Sequence, residues 1–206
     1  MRDTANEEAT LRRLIEVDPT NLQAFAGLAT MYVQQGKLDQ AKAEYEEISK
    51  KQPKSVVAPT MVALILEAQH KTAEAQKVYE KVLAAAPNAA LAANNLAWLY
   101  ADSGSNLDMA LQLAQTAKQQ LPNVPQINDT LGWVYFKRDL AALAIPAFQS
   151  SVQADPKNPT YRYHLGLAYA KNGDTVRAKA AFDEALKQKP DFREADEARK
   201  ALGAKS

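Results

Sequence analysis

Two histidines, His70 and His164, are the only imidazoles available for acid–base work or metal binding, and the chain has no cysteine. Disulfides, thiolate metal sites and cysteine nucleophiles are therefore excluded. His70 stands in a turn four residues before Glu74, a spacing that suits a metal pair but has no further ligand nearby. His164 follows Tyr163 on a first helix, where a structural or surface role is expected. The seven glycines are scattered, and no GxGxxG or GxxxxGK phosphate loop is present. Carboxylate pairs such as Glu46-Glu47 and Asp183-Glu184 read as solvated helix surface. Asn128-Asp129-Thr130 satisfies the glycosylation triplet but falls inside an expected helix. The residues supply no catalytic constellation, no metal site and no cofactor motif, so a non-enzymatic protein is expected.

What remains is recognition chemistry. Lys and Arg number 25 against 24 Asp and Glu, a net charge of +1, and the basic residues form no stripe. Nucleic acid is therefore not an expected partner. No run reaches the roughly 18–20 apolar residues of a membrane-spanning helix. Between Val82 and Phe136 the charged residues are only Asp102, Asp108, Lys118 and Asp129, and both tryptophans, Trp98 and Trp133, lie in that stretch. Aromatic rings among amides and hydroxyls suit a protein or peptide partner. The expected partner-binding set is Asn94, Asn95, Trp98, Asp129, Thr130, Trp133, Tyr163 and His164. The alternative, that both tryptophans merely pack between neighbouring helices, stays open at this point.

The elements that position these residues follow from a repeat. Pro19, Pro53, Pro87, Pro122, Pro156 and Pro190 are spaced by 34, 34, 35, 34 and 34 residues. Leu28, Val62, Leu96, Leu131 and Leu165 keep the same beat, followed one step later by Ala29, Ala63, Ala97, Gly132 and Gly166. A second small column is Ala41, Ala75, Ala110, Ala144 and Ala178, trailed by Tyr45, Tyr79, Ala114, Phe148 and Phe182. Each unit reads as two apolar stripes at helical spacing, broken by a turn such as Asn172-Gly173-Asp174. Asp174 or Thr175 is placed to cap the second helix of its unit. Unit three carries one extra residue in Ser103-Gly104-Ser105-Asn106, and unit four has Asp139 where others have glycine. Pro146 falls inside a second helix, where a kink is expected unless it lies in the first turns.

This pattern resembles the tetratricopeptide repeat family, carried in the last unit by Leu165-Gly166, Tyr169, Gly173, Ala178, Phe182, Ala185 and Pro190. The resemblance implies an all-α fold: antiparallel helix pairs in a right-handed α-α superhelix whose first helices line a concave groove. One solenoid over residues 1–206 is expected. It comprises a lone second helix at 6–18, complete repeats at 22–55, 56–89, 90–124, 125–158 and 159–192, and a capping helix at 193–202. The family's tryptophan slot holds Phe25, Pro59, Ala93, Asn128 and Arg162, so no unit is ideal there. The lysines and arginines with which some members clamp a terminal carboxylate are missing. Residues 94–100, 129–135 and 161–166 are also similar to repeats of bacterial lipoproteins linked to exopolysaccharide export and surface-protein sorting. That likeness implies a bacterial source and a periplasmic or cell-surface setting. The reading is a protein-binding scaffold within a larger assembly; its rival is a structural subunit self-associating through the N-terminal half-repeat, near Leu11, Leu14 and Ile15.

Overall fold

A computed structural model describes residues 4–203, and among these residues there are twelve α-helices and no strand. They fall into two compact units that divide between Ala92 and Ala93. The first unit holds α1 (Thr4–Val17), α2 (Leu22–Gln34), α3 (Leu38–Lys51), α4 (Val57–Ala68) and α5 (Thr72–Ala85). The second takes most of α6 (Ala90–Ser103), then α7 (Leu107–Gln120), α8 (Pro125–Lys137), α9 (Ala141–Ala154), α10 (Pro159–Lys171), α11 (Thr175–Gln188) and α12 (Ala195–Gly203). None of these helices is long and apolar enough to cross a membrane.

The small columns mark where helices meet. Ala29, Ala63, Ala97, Ala41, Ala75, Ala110 and Ala144 are all fully buried. In the second unit the contact is tighter still. A Cβ on Gly132 would stand 2.6 Å from the Phe148 ring, and one on Gly166 would stand 2.6 Å from the Phe182 ring. Both distances are inside van der Waals contact, so the glycines of α8 and α10 admit the phenylalanines of α9 and α11.

The turns between paired helices share one conformation. Gly36, His70, Gly104, Asp139 and Gly173 recur on the repeat and all have positive φ, between 60° and 83°. Three are glycine; His70 and Asp139 adopt the same left-handed state with a Cβ, at a cost of about 1–2 kcal/mol each. The residue inserted in the third turn is absorbed by a second left-handed position, Asn106, at φ 47°. Asp174 caps α11 by accepting from the Arg177 amide at 2.9 Å. Helix α9 continues through Pro146, its sixth residue.

Candidate functional site

Every residue expected to meet a partner lies on a first helix of the second unit: Asn94, Asn95 and Trp98 on α6, Asp129, Thr130 and Trp133 on α8, and Tyr163 and His164 on α10. Trp98 and Trp133 stack with ring centroids 5.6 Å apart and planes 21° apart. The His164 ring lies tilted beside both, 4.8 Å from Trp133 and 6.0 Å from Trp98. Three successive first helices thus contribute one ring each to a common cluster. Phe136 lies against Trp133 at 5.3 Å, and the Lys137 ammonium stands 5.3 Å from the Trp133 centroid.

The members of the expected set divide by burial. Asn94, Asp129, Thr130, Tyr163 and His164 are all buried, whereas Asn95, Trp98 and Trp133 are half-buried. Asp129 and His164 are joined: Nδ1 of His164 lies 2.9 and 3.1 Å from the two carboxylate oxygens. With Asp129 ionised, that geometry has the Nδ1–H donating to the carboxylate. Burial pushes the Asp129 carboxyl above its ordinary value, opposed in part by His164 and reinforced by the nearby Glu194 carboxylate. Burial likewise raises the Tyr163 phenol. The neighbouring Tyr161 is pushed up to about 12 by burial and by Asp129. Asn94 donates from Nδ2 to Asn95 Oδ1 at 3.0 Å, while Asn94 Oδ1 and Trp133 Nε1 are buried without a hydrogen-bond partner.

Besides its carboxylate partner, His164 has the rings of Trp133, Phe148 and Tyr163 about it. Among the described residues no three His, Asp or Glu side chains gather as metal ligands. His70 and Glu74 are both exposed in the first unit. The glycosylation triplet is closed off, because Asn128 is buried and its amide donates to the carbonyls of Pro122 and Val124.

The sequence reading missed Phe136 and Phe148, whose ring lies 5.6 Å from His164. It also missed the Asp129–His164 pair, although the signal was present. The two are 35 residues apart, one repeat plus one residue, which puts them on neighbouring first helices at nearly the same level.

Tetratricopeptide repeat profiles match residues 61–125 and 130–191, and a second such profile matches residues 4–64. Over 194 residues the chain is 26% identical to the general transcriptional corepressor ssn6 of Schizosaccharomyces pombe, covering 93% of this chain but 14% of that protein. A chain of the APC/C hetero-tetramer superposes with a TM-score of 0.83 at 17% identity, over 97% of this chain and 40% of the other. YrrB, described as a tetratricopeptide repeat protein with an unusual peptide-binding site, gives 0.65 at 19% identity over 92% and 97% of the two chains. PilF of Pseudomonas aeruginosa gives 0.71 at 20% identity over 89% and 87%. The chain thus spans a small part of the corepressor and less than half of the APC/C chain. With the profile covering most of its length and solved repeat solenoids superposing on its helices, the chain belongs to the tetratricopeptide repeat family.

Proposed function

We propose that the first-helix face of the second unit binds a segment of a partner protein, centred on Trp98 and Trp133. The observation that carries this reading is the half-buried, offset indole pair in a stretch almost free of charge. Both rings are half-buried, so a partner removes from water only their exposed remainder, each Å² of apolar surface contributing about 25 cal/mol. Low charge keeps desolvation cheap, so affinity depends weakly on salt. Asn95 and Lys137 flank the pair and supply polar contacts; the buried Asn94, Asp129, Thr130, Tyr163 and His164 act by holding the rings in place. The family's general role as a non-enzymatic scaffold for protein–protein interaction supports the reading, as does the peptide-binding description of YrrB. We place the scaffold in a larger bacterial assembly on the likeness of residues 94–100, 129–135 and 161–166 to export-linked lipoprotein repeats.

The test measures melting temperature and partner affinity together in Trp98→Ala and Trp133→Ala. Loss of an anchor costs at least about 2 kcal/mol of binding. A lowered melting temperature with unchanged affinity in the folded fraction assigns the rings to packing alone and overturns the proposal.

A second reading rests on α1, where Leu14 is 44% and Val17 79% exposed. On this reading the chain self-associates through that edge. Light scattering over a concentration series detects it, and Leu11→Glu with Leu14→Glu abolishes it; an unchanged mass in the double variant removes the edge from consideration.

A further inference from the structure

Among the described residues nothing hydrogen-bonds the Trp133 indole: its Nε1 is buried and meets no acceptor. Its plane is therefore set by what lies against its faces, namely Trp98, Phe136, the Lys137 ammonium and His164. His164 is the nearest of these rings, and it is itself tethered, with both carboxylate oxygens of Asp129 within 3.1 Å of Nδ1. Asp129 sits one helical turn before Trp133 on α8, so the tether starts on the same helix as the ring whose orientation it governs.

A buried carboxylate is an expensive tether. Removing a charge from water costs several kcal/mol even after relaxation, and a single ion pair offsets this only with good geometry. The fold does not need it: at the equivalent place the first unit has Thr60, equally buried, whose hydroxyl donates to the Val56 carbonyl at 2.6 Å. Asp129 and His164 therefore answer to something other than helix packing.

We propose that Asp129 and His164 are positioning residues for the indole pair: Asp129 fixes the imidazole, and the imidazole fixes the plane of Trp133 against Trp98. The proposal rests on the reading that this face binds a partner, because a preset aromatic platform lowers the ordering cost of binding. The groups facing the pair are Trp98 from α6, Trp133 from α8, Phe148 from α9, Tyr163 from α10 and the Glu194 carboxylate just before α12.

The test uses the full chain and no partner, so it fails or succeeds independently of the binding proposal. The protein has two tryptophans, so the exciton couplet of the stacked indoles in circular dichroism reports this contact, and Trp98→Phe identifies it by abolishing it. Asp129→Thr, the residue the fold already carries at position 60, removes the tether; Asp129→Asn keeps an acceptor for Nδ1–H without the charge. The expected result is a couplet that loses most of its amplitude in Asp129→Thr, with helical content intact, and is retained in Asp129→Asn. An undiminished couplet in Asp129→Thr, or its loss in Asp129→Asn, overturns the proposal. Should Asp129→Thr fail to fold, the same readout on His164→Leu decides: an undiminished couplet there also overturns it.

Discussion

The two units use the same helix pairs and fill the seam of their first helices with different chemistry. At the positions of Asn94, Asn95 and Trp98 the first unit has Thr60, Met61 and Leu64 on α4, and Ala26, Gly27 and Thr30 on α2. The first unit is closed by small and aliphatic side chains. The second carries two indoles, an imidazole, a carboxylate and an amide whose Oδ1 is buried without a partner. The first shows what the repeat needs for stability. The second adds buried polar groups at some cost, beside the half-buried rings on which the binding proposal rests.

The units also differ in how a first helix meets its second. At the equivalent positions the first unit has alanine and tyrosine, Ala29 with Tyr45 and Ala63 with Tyr79. Glycine faces phenylalanine in the second, at Gly132 with Phe148 and Gly166 with Phe182. The largest effect that would sharpen this contrast is Phe148→Ala. The ring is fully buried and also abuts His164. Its removal lowers stability by about 3–5 kcal/mol in denaturant melts. Gly132→Ala follows at about 1–3 kcal/mol, since the new Cβ overlaps the Phe148 ring. A neutral Gly132→Ala would show that the two kinds of contact are interchangeable.

Opposite responses to acid set the units further apart. In the first unit the Tyr32 hydroxyl and Arg12 hold the Glu8 carboxyl below its ordinary 4.5, so stability from this group is present above 4.5 and lost as pH falls through the lowered value. In the second, burial holds Asp129 above its ordinary 3.8. That contribution is full below 3.8 and lost as pH rises through the raised folded value. Asp129→Asn therefore leaves the melting temperature at neutral pH unchanged or higher, and the difference fades on acidification. A neutral-pH melting temperature well below wild type would contradict the sign.

The smallest effect concerns the turns. His70→Gly relieves the left-handed strain at φ 60° and gains about 1 kcal/mol or less, because glycine also loosens the unfolded chain. Unchanged or lowered stability would mean that the imidazole makes a compensating contact.

Much of this was legible in residue spacing. The 34-residue beat and the two small columns identify helix pairs, because close helix approach leaves room for little beyond alanine or glycine. The beat also placed Trp98 and Trp133 at equivalent positions on neighbouring first helices. Less legible was which side chains turn inward. Asp129, Thr130 and His164 are polar types that usually face water, and only the register between helices shows that Asp129 and His164 hydrogen-bond to one another. The left-handed turns at His70 and Asp139 were hidden for a related reason. Packing on both sides fixes the turn, and neither side chain announces a conformation that glycine adopts freely.

On the proposed function, the aromatic seam of the second unit, and not the aliphatic seam of the first, holds the partner. This is tested most directly by the affinity of one partner segment, selected from a displayed peptide library, for Trp133→Ala beside Leu64→Ala, its equivalent on α4. The expected result is a fall of about thirtyfold, equivalent to about 2 kcal/mol, for Trp133→Ala. For Leu64→Ala no measurable change is expected. Equal losses in both variants, or unchanged affinity in a folded Trp133→Ala protein, would contradict it.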